Sequence, residues 1–452
     1  MEAAEIDVRL VIPFHGVIDR QAYPFRSVAR FSIPHVNDSF QAEVFTVEID
    51  HLPVYLIGGS LFPPDAPVYT ADASVDGLKF TFFSLAALEL ARSLNWVPHL
   101  IHANDWHTSP AIYALRIHRG LNNFYYNTAT VLGLHNLPYL GIGAGPALAA
   151  FDLPPARDSL LPEWAQQIPL PLGLLSADHI VAASPTYARE ILTKEFGSGL
   201  QDFLNTRADS ISGILNGIDI KRWDPRKDPA LLANYSAGDL PARQANKLAL
   251  QRELELSPDP GVPLFAMISR MDPQKGVDLV PDALRQIANL PWQVIILGTG
   301  DPTLEVAASR LEGDFPDRAR ALIRYDSALS RRIYGGADAL LIPSRYEPCG
   351  LTQMIAMRYG CVPVARATGG LKDTIHDYDT SGESTGFLFD HATPQSLAGA
   401  LARAVHVYAK PDDWRGLQHQ GMVQDFSWER SARQYIALYQ SLVMQRSRKT
   451  SP

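Results

Sequence analysis

Arg270 and Lys275 stand five residues apart in SRMDPQKG, on a segment that leaves an apolar run and opens a helical one. Two cations beside the free amides of a helix N-terminus form a seat for a diphosphate. A solvated basic pair on a loop has the same spacing. In RYEPCGLTQ, Glu347 opens a helical stretch and is followed by Pro348, Cys349, Gly350 and Leu351. A carboxylate there can accept hydrogen bonds from sugar hydroxyls while Gly350 lets backbone amides approach a ligand. Ordinary matching of the helix dipole would also place an acid at this point. Thr368-Gly369-Gly370 precedes the helical LKDTIHDY, and paired glycines before a helix make either an anion nest or a plain turn.

The first half carries fewer such groups. IHANDWHTSP holds His102, Asp105 and His107. No further His or Cys stands at ligand spacing, so neither a metal nor a cofactor is expected. VLGLHNLPYLG puts His135 and Asn136 at the C-terminal end of a strand, where open α/β sheets bind their ligands. LNGID places Asn216 and Gly217 ahead of Asp219 in a turn. Taken singly, each signal is compatible with a structural role.

Positioning these residues requires strands that alternate with helices. Strand patterns cover 6–12, shorter runs within 28–57, 99–103, 129–135 and 179–184; helical patterns cover 80–94 and 110–119. SPDPGVP, with three prolines in seven residues, fits neither a helix interior nor a central strand and reads as a linker over 257–263. Beyond it LFAMIS, QVIILG, ALIRYD and ALLIPS restart the alternation, which points to a parallel α/β architecture. The expected domains are 1–256 and 264–426, with a final helix over 427–445. That helix carries Trp428, Ala432, Tyr435, Ile436 and Tyr439 on one stripe.

Length and composition set the outer bounds. The 452 residues exceed what one core supports, so two domains are expected. Apolar residues at 46% exclude a disordered chain. A net charge of −8 gives no basic field for nucleic acid. The two cysteines are too few for a disulfide scaffold. No stretch is apolar enough to span a bilayer, and the first residues lack the pattern of a signal peptide, so a cytoplasmic location is expected.

In order along the chain, HANDWH, LHN, SPTYAREI, ISGILNGID, SRMDPQKG, RRIYGGADALLIPSRYEPCGLTQ and ATGGLKDT resemble the bacterial glycogen synthases and plant starch synthases. The resemblance implies the GT-B fold, two Rossmann-like domains facing a cleft. It implies retaining transfer of glucose from a nucleotide-glucose, ADP-glucose in most bacteria, to the non-reducing end of an α-1,4-glucan, without a metal. By position, Arg270 and Lys275 would hold the donor diphosphate, and Glu347 with the amides of Cys349, Gly350 and Leu351 would hold its glucose. Asp105, His135 and Asn136 would lie near the sugar across the cleft. Tyr325 would face the base, Thr368, Gly369 and Gly370 would cradle phosphate, and Asn216 would line the sugar site. Ile355 stands where many other retaining GT-B transferases have a second Glu, which favours the glycogen/starch synthase branch.

The sequence also departs from the family. No Lys-x-Gly-Gly-Leu loop precedes Asp105, and the chain begins at what would be the second strand. A βα unit of about 30 residues is therefore expected to be missing, which would take an inner strand from the sheet and leave backbone groups unpaired. DWHTSP replaces the usual Gly-Leu pair after DWH, and Pro171 stands where relatives often have Lys. Two functions follow: an active glucan synthase, or a silent relative that binds glucan or nucleotide as a regulator. Retention of Arg270, Lys275, Glu347 and His135 favours the enzyme.

Overall fold

Antiparallel pairing, which the α/β alternation does not call for, opens the chain. The computed structural model describes residues 6–36, 38–119, 123–378 and 383–450. Strands β1 (Leu10–Pro13), β2 (Arg26–His35), β3 (Asp38–Ile49) and β4 (Leu52–Gly59) form a sheet in the order β1-β4-β3-β2. Only β1 and β4 run parallel. The connections on either side of β3 are too short for a crossover, so hairpins are the only solution. Asp50 and His51 turn β3 into β4 at φ 49° and 65°, the left-handed pair that matches strand twist. The helix Ala73–Ser93, capped by Asp72 accepting from the Ser74 N–H, lays Phe82, Phe83, Ala86 and Leu90 on Ile33, Ala42, Val44 and Ile57.

A second, parallel sheet follows with β5 (Leu100–Asn104), β6 (Ala129–Leu134), β7 (His179–Ala182) and β8 (Ile211–Gly213) in sequence order. Among the described residues β1 pairs only with β4, and β5 only with β6. Leu10 and Val11 of β1 and Leu100 to Asn104 of β5 border one cavity of about 220 Å³ that is also lined by Phe83, Ala87 and Leu90.

The remaining strands are β9 (Leu264–Ile268), β10 (Gln293–Gly298), β11 (Ala319–Ile323), β12 (Ala339–Ile342), β13 (Val362–Arg366) and β14 (Phe387–Phe389). All are parallel, in the order β11-β10-β9-β12-β13-β14. Counted from β9 this is 3-2-1-4-5-6, the dinucleotide-binding Rossmann order, whose switch point lies between β9 and β12. Every residue of β10 is buried, as a doubly covered strand requires.

The chain divides into a first unit of residues 1–183, 188–214 and 432–452 and a second of 184–187 and 215–431. The join therefore lies near 214, not at 257–263. Prolines mark irregular backbone, and here that backbone is tied down. Lys247 Nζ donates to the carbonyls of Val262 at 2.6 Å and Pro260 at 3.3 Å, and Gln251 Nε2 donates to that of Asp259. Upstream, the Arg243 guanidinium donates to the carbonyls of Tyr359, Tyr334 and Ala337, anchoring residues 215–253 to the second unit.

The last helix, Trp428–Thr450, returns to the first unit. Tyr435, Leu438, Tyr439 and Leu442 pack on Leu100, Ala129, Val131, Val181 and Ile214. The seam thus uses Leu438 and Leu442, while Trp428 of the expected stripe remains 48% exposed. No helix of the described residues is long and apolar enough to cross a membrane.

Candidate active site

The switch point between β9 and β12 is where the second unit gathers its chemistry. The loop leaving β9 carries Arg270 and Lys275, and the loop leaving β12 carries Glu347. Lys275 Nζ donates to both Glu347 oxygens, at 2.9 and 2.8 Å, and Ser344 Oγ donates to Oε2 at 2.8 Å. Glu347 is buried, so this pairing is what keeps its charge inside the fold. From their order in the chain the two residues have separate duties and no contact; the topology makes them neighbours.

Gly276 allows the approach. It sits at φ 68°, and a Cβ there would lie 2.2 Å from the Pro343 carbonyl oxygen. Gly369 and Gly370 serve the same end. Added Cβ atoms would lie 2.0 Å from the carbonyl oxygens of Glu347 and Cys349 respectively, and the Gly370 N–H donates to the Glu347 carbonyl. The paired glycines are thus required by backbone packing whatever ligand the loop takes. The Cys349 thiol, held by a backbone hydrogen bond from Asn216, is pushed up to about 12 by burial and is no nucleophile at neutral pH.

Three expected residues are exposed, unlike this cluster, and a fourth is buried. The Arg270 side chain is 70% exposed and pairs with Asp272 at 3.2 Å. Tyr325, on the loop after β11, is 85% exposed, and Leu351 is 44% exposed. Thr368 is buried at the start of the helix Gly369–Thr374.

In the first unit the helix Asp105–His118 starts at the acid itself, five residues before the expected start, and takes Pro110 inside it. Asp105 adopts φ 52°. That strained turn directs Oδ1 to the backbone N–H groups of His135 at 2.8 Å and Asn136 at 3.4 Å, so the three residues form one group. Burial is the largest influence on the Asp105 carboxyl and raises its pKa, opposed by His135 and these amides. Asn104, which sequence reasoning passed over, places Oδ1 2.9 Å from His135 Nε2. Gly133 makes room for it: a Cβ there would lie 2.5 Å from Asn104 Oδ1 and 2.8 Å from His102 Nε2. Also missed was the buried ion pair Lys79–Asp76 at 2.8 Å, since its i,i+3 spacing looks like any helix surface pair.

Among the described residues no group of three or more potential metal ligands occurs, around His102 and His107 or elsewhere. His102 Nδ1 meets Tyr439 Oη at 2.6 Å, and the Nε2 atoms of both rings are buried without a hydrogen-bond partner. Burial holds both rings down at a pKa of about 4, so both fold neutral. An unfolded imidazole titrates near 6.5 and takes up protons first as pH falls. The stability these rings contribute is complete above that value and is lost as pH falls toward 4. The loss is expected to be on the order of 2 kcal/mol per ring at the lower end. Denaturant midpoints of the wild type and of His102→Gln between pH 7 and 4.5 check this; a flat wild-type midpoint would contradict it.

The chain matches two family models, a starch synthase catalytic domain over residues 1–206 and a glycosyl transferase group 1 domain over 254–416. The glycogen synthase of Anaeromyxobacter dehalogenans strain 2CP-1 is 41% identical over 442 residues, covering 96% of this chain and 92% of that one. The chain belongs to the glycogen/starch synthase family. The glycogen synthase of Syntrophotalea carbinolica is 37% identical, covering 97% of this chain and 92% of its own. Among solved structures, the catalytic domain of starch synthase IV from Arabidopsis thaliana, bound to ADP and acarbose, superposes with a TM-score of 0.86 at 32% identity. It covers 98% of this chain and 93% of that one. A sucrose-phosphate synthase from Thermosynechococcus elongatus, at 22% identity and a TM-score of 0.57, shares the fold. This family member is accordingly a GT-B glycosyltransferase, a hexosyltransferase that takes a nucleotide-sugar donor and a glucan acceptor.

Proposed function

We propose that the chain transfers glucose from ADP-glucose to the non-reducing end of an α-1,4-glucan, with retention, in cytoplasmic glycogen biosynthesis. One observation carries this reading: the Lys275 ammonium sits on Glu347 between the two loops of a Rossmann switch point, where a nucleotide diphosphate belongs. Lys275 and the exposed Arg270 offset charge that develops on the departing nucleotide. Such preorganised charge acts without any proton transfer. Glu347 orients the donor glucose, aided by the amides of Cys349 to Leu351. Thr368 to Gly370 meet phosphate, Tyr325 offers its exposed ring to the base, and Asn216 lines the sugar. Asp105, with the His135 and Asn136 segment it holds, serves the reacting sugar. ADP, named in the Arabidopsis neighbour, favours adenine over uracil as the base.

The test is glucose incorporation into glycogen primer from ADP-glucose and from UDP-glucose. A kcat/KM preference for ADP-glucose of about 10-fold or more is expected, the scale set by a few base contacts. Equal use of both donors would remove the donor assignment, and no transfer from either would remove the function. Because Arg270 and Lys275 supply the positive charge, saturating chelator is expected to leave turnover unchanged. Strong inhibition by EDTA would overturn that role.

A further inference from the structure

Lys275 and Glu347 come from loops whose strands are adjacent, yet adjacency alone leaves long side chains free to miss each other. A second ion pair lies beside them. Arg345 Nη1 and Nη2 donate to Asp278 Oδ1 and Oδ2 at 2.9 and 2.7 Å, a fork-to-fork arrangement. Arg345 Nη1 also donates to the Pro273 carbonyl at 2.6 Å, and its backbone N–H to the Gln274 carbonyl at 2.7 Å. Gln274 Nε2 returns a bond to the Tyr346 carbonyl. Five hydrogen bonds thus tie the residues on either side of Lys275 to the segment just before Glu347. Asp278 stands at the N-cap of the helix Leu279–Gln286 but makes no capping bond. An N-cap Asp ordinarily accepts from that helix's own amides, so its carboxylate has been diverted to Arg345. The Arg345 hydrogen bonds hold its pKa below the usual carboxylate range.

We propose that Arg345 and Asp278 are positioning residues, a clasp that fixes the β9 loop against the β12 loop so that Lys275 stays on Glu347 in the geometry transfer requires. The inference rests on the donor role given above to that pair. The clasp touches no reacting atom. It acts by restricting where the Lys275 ammonium can go, and displacement of a catalytic group by about 1 Å costs on the order of 10²-fold in rate.

Arg345→Ala, Arg345→Lys, Asp278→Asn and the charge-exchanged Asp278→Arg/Arg345→Asp protein test this, with Arg285→Ala as control. Arg285 bridges Asp282 and Asp314 from the helix Leu279–Gln286, and its loss weakens that helix without touching the clasp. Arg345→Ala is expected to lower kcat about 100-fold and Arg345→Lys about 10-fold, with the dissociation constant for ADP changed less than about 3-fold. The exchanged pair is expected to recover at least about 10-fold of the Arg345→Ala loss. Independently of turnover, acylation of Lys275 by a water-soluble active ester, read by mass spectrometry, is expected to rise at least about 5-fold in Arg345→Ala and Asp278→Asn but not in Arg285→Ala. If Lys275 labelling and kcat follow thermal stability alone, across clasp variants and control alike, the clasp is only structural and the proposal falls. If labelling responds while the wild type transfers no glucose, the clasp stands and the donor reading falls.

Discussion

Lys275→Ala is expected to lower glucose transfer about 10²- to 10³-fold, the cost of losing one charged donor aimed at the transition state. The same change strips Glu347 of two hydrogen bonds and leaves it the one from Ser344 Oγ, in a site where the acid is only 7% exposed. An under-satisfied buried charge costs about 1–3 kcal/mol, so the second unit should also unfold earlier. The two effects separate in Lys275→Ala/Glu347→Gln. Neutralising the acid removes the stranded charge and should restore most of the stability, while transfer stays low because the cation is still absent. Incorporation at wild-type rates in Lys275→Ala would end the donor assignment. Recovery of both rate and stability in the double variant would show that the cation only shields its neighbour.

Asp105 gives the second large effect, by a different route. Its backbone holds φ 52°, and its carboxylate gathers the amides of His135 and Asn136. Alanine resists that backbone and offers no acceptor, so Asp105→Ala is expected to lose about 1–3 kcal/mol. Turnover should fall about 10²-fold as the His135 segment shifts. Asparagine tolerates the left-handed region and keeps an acceptor oxygen, so Asp105→Asn should lie within about 1 kcal/mol of wild type in stability. Its kcat then reports the carboxylate charge alone. An Asp105→Ala protein with kcat within 3-fold of wild type would remove Asp105 from the reaction.

Much of this site is legible in the order of residues, and the rest is hidden for identifiable reasons. Strand β10 holds a run of buried apolar side chains, Val294 to Leu297, and announces itself. Strand β13 carries Pro363 and β14 has three residues, too interrupted and too short for a periodicity to register. Hairpins β2 to β4 lack clean alternation because the first sheet buries parts of both faces. Glu347 and Lys275 are visible as charged residues on strand-end loops, but their contact is not. It depends on β12 crossing to lie beside β9, a choice made by the whole sheet. Arg345 and Asp278 escape notice for the same reason, being 67 positions apart in the chain yet paired in the fold. Asp105 was legible as an acid after a strand, whereas its left-handed backbone was not, since only a specific turn demands it.

The returning helix has a consequence for synthesis. Leu100, Ala129, Val131, Val181 and Ile214 are made early, but Tyr435, Leu438, Tyr439 and Leu442, which cover them, are made after the whole of the second unit. On the ribosome the early unit therefore waits with an apolar strip bare while some 200 further residues are added, the kind of surface that recruits chaperones or aggregates. A fragment ending near residue 214 would carry that bare strip permanently. The late helix thus makes completion of the first unit conditional on translation past the second, and a nascent chain stalled before residue 432 leaves that apolar strip uncovered.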